Sequence, residues 1–156
     1  MQLLNIDIQK CDHAQDLPLP AYGSEKSAGL DLVAALDSTV TLQPGERYLV
    51  PCGIVIAIPS GYEGQIRPRS GLAFKHGLTI LNAPGTIDAD YRGEVKALVI
   101  NHGSDPFLIE RGMRIAQLVI APYAKIDWCE VHDITQHNKV HRGGSFGSTG
   151  LYATGT

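Results

Sequence analysis

The chain has 156 residues, 44% of them hydrophobic and 19% charged, with a formal net charge of −3. This is the profile of one folded domain with a real core. It argues against a dedicated nucleic-acid binder, which carries a basic surplus, but not against a small anion gripped by a few local arginines. Three cysteines, odd in number and without a CxxC pair, point to reduced thiols rather than a disulfide framework. No apolar run is long enough for a membrane span. The N-terminus alternates like a strand and lacks a basic leader, so a cytoplasmic protein without a signal peptide is expected.

Glycine and proline are spread along the chain with short Val/Ile/Leu runs between them, and no long stretch has helical period. That pattern predicts an all-β domain rich in turns. Leu4, Ile6 and Ile8 read as the first strand by their period of two. The small residues Ser27, Ala28 and Gly29 lead into Asp31, between Leu30 and Leu32. Residues 39–42 and 47–50 read as strands separated by a turn at Pro44-Gly45. Residues 54–58 form a continuous apolar run expected to be buried on both faces. After the Pro59-Ser60-Gly61 turn, residues 62–67 are another strand.

Residues 68–77 differ. Ser70 reads as an N-cap and Gly77 as a stop, which predicts one short helix. Arg69 then stands beside free backbone N–H groups and a hydroxyl, a combination suited to phosphate, although a capping serine beside a surface arginine explains it equally well. Residues 78–81 lead into a segment, 82–95, that reads as a hairpin with an acidic, aromatic tip. Gly85 and Gly93 are expected in conformations closed to other residues, Pro84 stiffens the entry, and Asp88, Asp90 and Tyr91 sit between them. Residues 107–109 and 113–120 follow as strands. In the second, Arg114 and Gln117 are an odd number apart, so a regular strand sends them to opposite faces. Residues 126–131 close the folded part.

From residue 133 the composition turns polar and rich in Gly, Ser and Thr. A tail of this kind cannot bury a core. Its glycines and hydroxyls would suit wrapping of a polyphosphate, and Phe146 would cover the face of a base. It is no Walker loop, since no Gly-Lys-Ser/Thr follows. His132, His137 and His141 fit no standard zinc spacing. There is no GxSxG elbow, no Cys/His pair at a recognisable spacing and no internal repeat.

In order, these segments resemble the trimeric deoxyuridine triphosphatases. The resemblance rests on Ala28-Gly29-Leu30-Asp31-Leu32, Pro68-Arg69-Ser70-Gly71-Leu72-Ala73, Gly85-Thr86-Ile87-Asp88 with Tyr91-Arg92-Gly93, Arg114-Ile115-Ala116-Gln117-Leu118, and the terminal run through Phe146-Gly147-Ser148-Thr149-Gly150. It implies a jelly-roll-like distorted β-barrel over residues 1–132 with one short helix. It also implies a flexible C-terminal tail, 133–156, carrying the last motif, and a homotrimer with active sites at subunit interfaces. The implied activity is hydrolysis of dUTP to dUMP and pyrophosphate, with no nucleic-acid or membrane partner. Asp88 would be the catalytic carboxylate. Arg69, Ser70, Gly71, Asn82, Gly85, Thr86, Ile87, Tyr91, Lys96 and Gln117 would bind substrate, joined by Arg142, Phe146, Gly147, Ser148 and Thr149 from the tail. Mg²⁺ would ride mainly on the phosphates, with Asp31 reaching it through water.

One departure stands out. The family's last motif commonly reads Arg-Gly-x-Gly-Gly-Phe, whereas here the run from Arg142 to Phe146 is one residue shorter and carries Ser145. Counted back from Phe146, His141 takes the arginine's place, so either His141 or Arg142 would meet the γ-phosphate. The rival readings are dCTP deaminase, which needs a glutamate where Leu98 aligns, and a non-catalytic nucleotide-binding β module.

Overall fold

A computed structural model describes residues 3–137. The chain divides into two units, Met1–Ala124 and Lys125–Thr156. Among the described residues the first unit holds twelve strands: β1 (Asp7–Lys10), β2 (Ala21–Tyr22), β3 (Leu30–Val33), β4 (Val40–Leu42), β5 (Arg47–Pro51), β6 (Ile54–Ala57), β7 (Tyr62–Arg67), β8 (Leu78–Ile80), β9 (Gly85–Ile87), β10 (Lys96–Asn101), β11 (Phe107–Ile109) and β12 (Arg114–Pro122). One α-helix, α1 (Ser70–His76), separates β7 from β8. Every strand pairing is antiparallel. The largest sheet runs β2-β3-β12-β7-β9, a second runs β5-β10-β8, and two ribbons, β1-β6 and β4-β11, complete the set. This is the all-β architecture that the turn-rich sequence predicts, in the jelly-roll-like form that the family resemblance implies.

Alternation builds the core. In β6 the pattern is one buried face and one half-buried face, so Ile54, Ile56 and Ile58 enter the core while Val55 and Ala57 do not fully follow. The expectation of complete burial on both faces is corrected to that extent. The interior is aliphatic: Leu32, Val50, Leu78, Val95, Val99 and Ile109 are almost fully buried, and no aromatic ring is fully buried among the described residues. Each such side chain contributes about 1.5–3 kcal/mol by leaving water. Cys52 belongs to the same cluster, and burial pushes its thiol up to about 12, which makes it a small hydrophobe rather than a nucleophile.

Three local readings change. The first strand begins at Asp7, not Leu4; Leu4 and Ile8 are exposed, and Ile6 alone of the three packs on the core. The helix starts at Ser70, so Arg69 is the N-cap and no side chain caps it. Gly77 does end the helix, in the left-handed conformation at φ 67°, where its N–H reaches the Ala73 and Leu72 carbonyls. Residues 126–131 form no strand; Ile126, Trp128 and Val131 in this second unit are exposed. The unit also holds a short 3₁₀ turn, Ile134–His137, beside which Asp133 Oδ1 accepts from the backbone N–H and hydroxyl of Thr135.

Candidate active site

The large sheet lays a row of polar groups across its middle. Asp31 on β3 stands opposite Gln117 on β12, and Gln117 stands opposite Arg67 on β7. Directly opposed residues share a face, so three strands deliver a carboxylate, an amide and a guanidinium to one line. Arg114 joins them through a β-bulge. The β3–β12 register shifts between Arg114 and Ala116, so two steps on β12 answer one on β3. Arg114 therefore falls opposite Val33, on the same face as Asp31 and Gln117. The opposite-face expectation for Arg114 and Gln117 is overturned because the extra residue restores parity. Ile115 and Ala116 are then consecutive and both buried.

Charge pairing fixes the geometry. Arg69 Nε lies 3.0 Å from Asp31 Oδ1, and Arg114 Nη1 lies 3.1 Å from Asp31 Oδ2. Arg69 Nη1 also donates to the Arg114 carbonyl at 2.9 Å. Gln117 Nε2 donates to the Pro68 carbonyl at 2.9 Å, tying β12 to the start of α1. Gly29 leaves room for this, since any Cβ there would run into the Gln117 side chain. Two adjoining clefts, of about 410 and 430 Å³, share Asp31, Arg69 and Gln117. The first adds Ser70, Gly71 and Lys75, and the second adds Arg67 and Arg114. The result is one trough in which three guanidiniums and an ammonium surround one carboxylate. An arrangement with that surplus of donors suits a polyanion.

The segment 82–95 begins beside the trough, with Ala83 and Pro84 lining a third cleft alongside Gln65, Arg67, Pro68 and Gln117. It is not a hairpin: β9 pairs with β7 in the large sheet, whereas β10 pairs with β5 and β8. The chain crosses between sheets here. Gly85 and Gly93 are not at positive φ; what they supply is space, Gly85 beside the Asn82 amide and Gly93 beneath the Tyr91 ring. The Ala83–Pro84 bond is cis. Tyr91 N–H donates to the Asp88 carbonyl at 3.1 Å, and the Tyr91 hydroxyl donates to the Glu94 carbonyl at 3.0 Å. Arg92 Nη1 closes the other side on the carbonyls of Ala89 and Tyr91. Thr86 is exposed and Ile87 buried. Asp88 is exposed on this braced loop, and its carboxylate has no partner among the described residues.

Within one chain, then, Asp31, Arg69, Ser70, Gly71 and Gln117 line the trough, while Asn82, Gly85, Thr86, Ile87, Asp88, Tyr91 and Lys96 do not. Lys96 opens β10 and borders a separate cleft with His13 and Glu94. Arg142, Phe146, Gly147, Ser148 and Thr149, together with His141, lie outside the described residues. Arg67 and Lys75 are charged members of the trough that sequence reasoning passed over; the place of Arg67 directly before Pro68-Arg69 was the available signal for it.

The sequence pattern of the dUTPase family matches residues 15–150. A deoxyuridine 5'-triphosphate nucleotidohydrolase of Wolbachia pipientis subsp. Culex pipiens is 54% identical over 147 residues, 94% of this chain and 96% of that protein. The protein of the same name from Rhizobium rhizogenes is 55% identical over 149 residues, covering 94% of each. Among solved structures, a variant of the Staphylococcus bacteriophage 80alpha dUTPase with dUpNHpp superposes with a TM-score of 0.81 at 26% identity, covering 94% of this chain and 99% of that one. The dUTPase from phage phi11 of S. aureus, at 24% identity, shares the fold with a TM-score of 0.75 over 84% of this chain and 98% of its own. The chain belongs to the dUTPase family.

Proposed function

We propose that this protein hydrolyses dUTP to dUMP and pyrophosphate by attack of water on the α-phosphorus, which lowers dUTP, keeps uracil out of DNA and supplies dUMP for thymidylate synthesis. The observation that carries the reading is the cationic trough around Asp31, together with an unpartnered carboxylate, Asp88, on a braced loop. Arg69, Ser70 and Gln117 take the phosphates. The Arg69 and Arg114 guanidiniums are held at fixed positions by Asp31 until phosphate oxygens compete for them. Asp88 accepts a hydrogen bond from the attacking water, aims it and receives its proton, a role worth about 10²–10⁴-fold.

Selectivity comes from the other segment. Backbone groups of residues 85–95 and the Asn82 amide read the uracil edge, and a cytosine amino group would leave those donors facing a donor. The Tyr91 ring, pinned by its hydroxyl to the Glu94 carbonyl, excludes a 2′-hydroxyl beneath the sugar. Asp88 lines neither cleft of the trough, and in this reading a second subunit of a homotrimer completes each site. Arg142 or His141, with Phe146, Gly147, Ser148 and Thr149, closes over it from the segment 133–156. The cytoplasm is the compartment that fits; no helix among the described residues is long and apolar enough to cross a membrane.

Magnesium fits as an outer-shell partner of Asp31. Each carboxylate oxygen accepts one guanidinium and keeps a lone pair for a water. When bound, the ion neutralises phosphate charge.

The test is release of dUMP and pyrophosphate from dUTP, with the same preparation offered dCTP and ammonia measured. Asp88→Ala should abolish turnover and retain dUTP binding. Asp88→Ala chains mixed with Gln117→Ala chains should recover turnover, because some interfaces then carry both wild-type halves. Full activity in Asp88→Ala removes that residue from the mechanism, and absence of recovery on mixing confines each site to one chain.

A further inference from the structure

The side chains of Cys11, His13 and Glu94 converge away from the trough. A sulfur, an imidazole nitrogen and a carboxylate oxygen, one from each residue, all lie within 4.8 Å of one another. His13 Nε2 is 3.1 Å from Glu94 Oε1. Ligands about 2.0–2.1 Å from a tetrahedral zinc ion stand roughly 3.3 Å apart, so this pair already has the length of a coordination edge.

The backbone builds the arrangement. Gly53, at φ 69° in the turn between β5 and β6, accepts from the Cys11 N–H at 2.9 Å and donates its own N–H to Glu94 Oε1 at 2.8 Å. A Cβ on Gly53 would run into Ala14 and Ala35, and the buried Ala14 anchors the 3₁₀ turn Asp12–Ala14 that carries His13. Arg111 Nη2 donates to the His13 carbonyl at 2.7 Å, and the Tyr91 hydroxyl holds the Glu94 carbonyl. The groups therefore meet on fixed main chain rather than on long swinging side chains. A cleft of about 430 Å³ opens on His13 and Glu94, with space for a water beside them. A histidine–carboxylate ion pair accounts for two of the groups and leaves the thiol unexplained.

We propose that Cys11, His13 and Glu94 bind a divalent transition-metal ion of the zinc class, with water in the open fourth position, at a site separate from the nucleotide trough. A thiolate, an imidazole and a carboxylate together select such an ion over magnesium, which takes all-oxygen ligands. Because Glu94 follows Tyr91 by three residues, the ion would brace the Asp88 loop against the N-terminal turn.

Full-length protein carrying Cys129→Ser, to remove the exposed thiol, is stripped with chelator and titrated with Co²⁺. One equivalent per chain should bind, with tetrahedral visible bands and a thiolate-to-cobalt charge-transfer band. Zn²⁺ should displace it. Adding Cys11→Ser should abolish the charge-transfer band and weaken binding by more than the roughly 10–100-fold that an outer-shell change costs. His13→Ala should weaken it likewise, while dUTP turnover with Mg²⁺ persists in both. Failure of the Cys129→Ser parent to bind a stoichiometric ion, binding without the thiolate band, or a band that survives Cys11→Ser would each overturn the proposal.

Discussion

The Gln117 side chain occupies the space in which a Cβ on Gly29 would stand. The two residues come from different motifs, and the smallness of one sets the position of the other. Gly29→Ala should push the Gln117 amide away from the Pro68 carbonyl and out of the trough. Overpacking typically costs about 1–3 kcal/mol, and here the group that must yield is the end of a flexible side chain, so the low end applies. The expected result is a small fall in Tm and a clear rise in KM for dUTP. An unchanged KM would detach Gln117 from substrate binding.

Arg67 should matter to substrate although it belongs to none of the recognised motifs. It stands opposite Gln117 and lines the trough beside Arg69 and Arg114, while its guanidinium donates to Gln65 Oε1. Hydrogen bonds to charged groups are worth about 1.5–3 kcal/mol, so Arg67→Ala should raise KM by about tenfold or more. The variant's KM should also respond less to added salt than the wild type's, because one screened charge is gone. Steady-state kinetics at two ionic strengths check both statements.

Asn101 is the one buried polar side chain of the described core. Its Nδ2 donates to the carbonyls of Leu42 and Asp105, each at 2.9 Å, and its Oδ1 accepts from the Gly103 N–H at 2.8 Å. Asn101→Leu keeps the branched shape of the side chain and orphans those backbone groups, at about 1–3 kcal/mol for each that water cannot reach. Urea unfolding should show a lower midpoint with an unchanged slope.

Acid should expose the Asp16–Arg111 pair. Arg111 donates to both carboxylate oxygens, and this hydrogen bonding holds the Asp16 carboxyl below its ordinary value of 3.8, with its own backbone hydrogen bond adding to the effect. A carboxyl with a lowered folded value contributes stability that is complete above the unfolded value and disappears as pH falls through the folded one. Asp16→Asn should therefore melt below wild type at neutral pH, and the gap should close as pH falls below the ordinary carboxyl value of 3.8. A gap that stays constant into acid would assign the effect to lost packing instead.

How legible the molecule was depended on how local each signal is. Gly77 announced the end of α1 because a left-handed stop is written in one residue. Ser70 misled, since helix starts tolerate an uncapped first turn and Arg69 holds that position. The polar face of β12 could not be read by counting, because a bulge is a property of two strands in register and the sequence shows one at a time. The same blindness made the Asp88 segment look like a hairpin: nothing within it says that β9 and β10 find partners in different sheets. Asp31, Arg69 and Gln117 were each identified, but their union around one carboxylate is a product of the fold. Cys11, His13 and Glu94 escaped because a turn at Gly53 joins positions far apart in the chain.

Trp128 is the chain's single tryptophan, and it stands 86% exposed in the second unit, while no ring is fully buried among the described residues. Indole emission will accordingly be nearly blind to melting of the barrel. It will instead report whatever comes to shield that segment, so a blue shift on adding nucleotide or raising protein concentration would register an encounter rather than an unfolding.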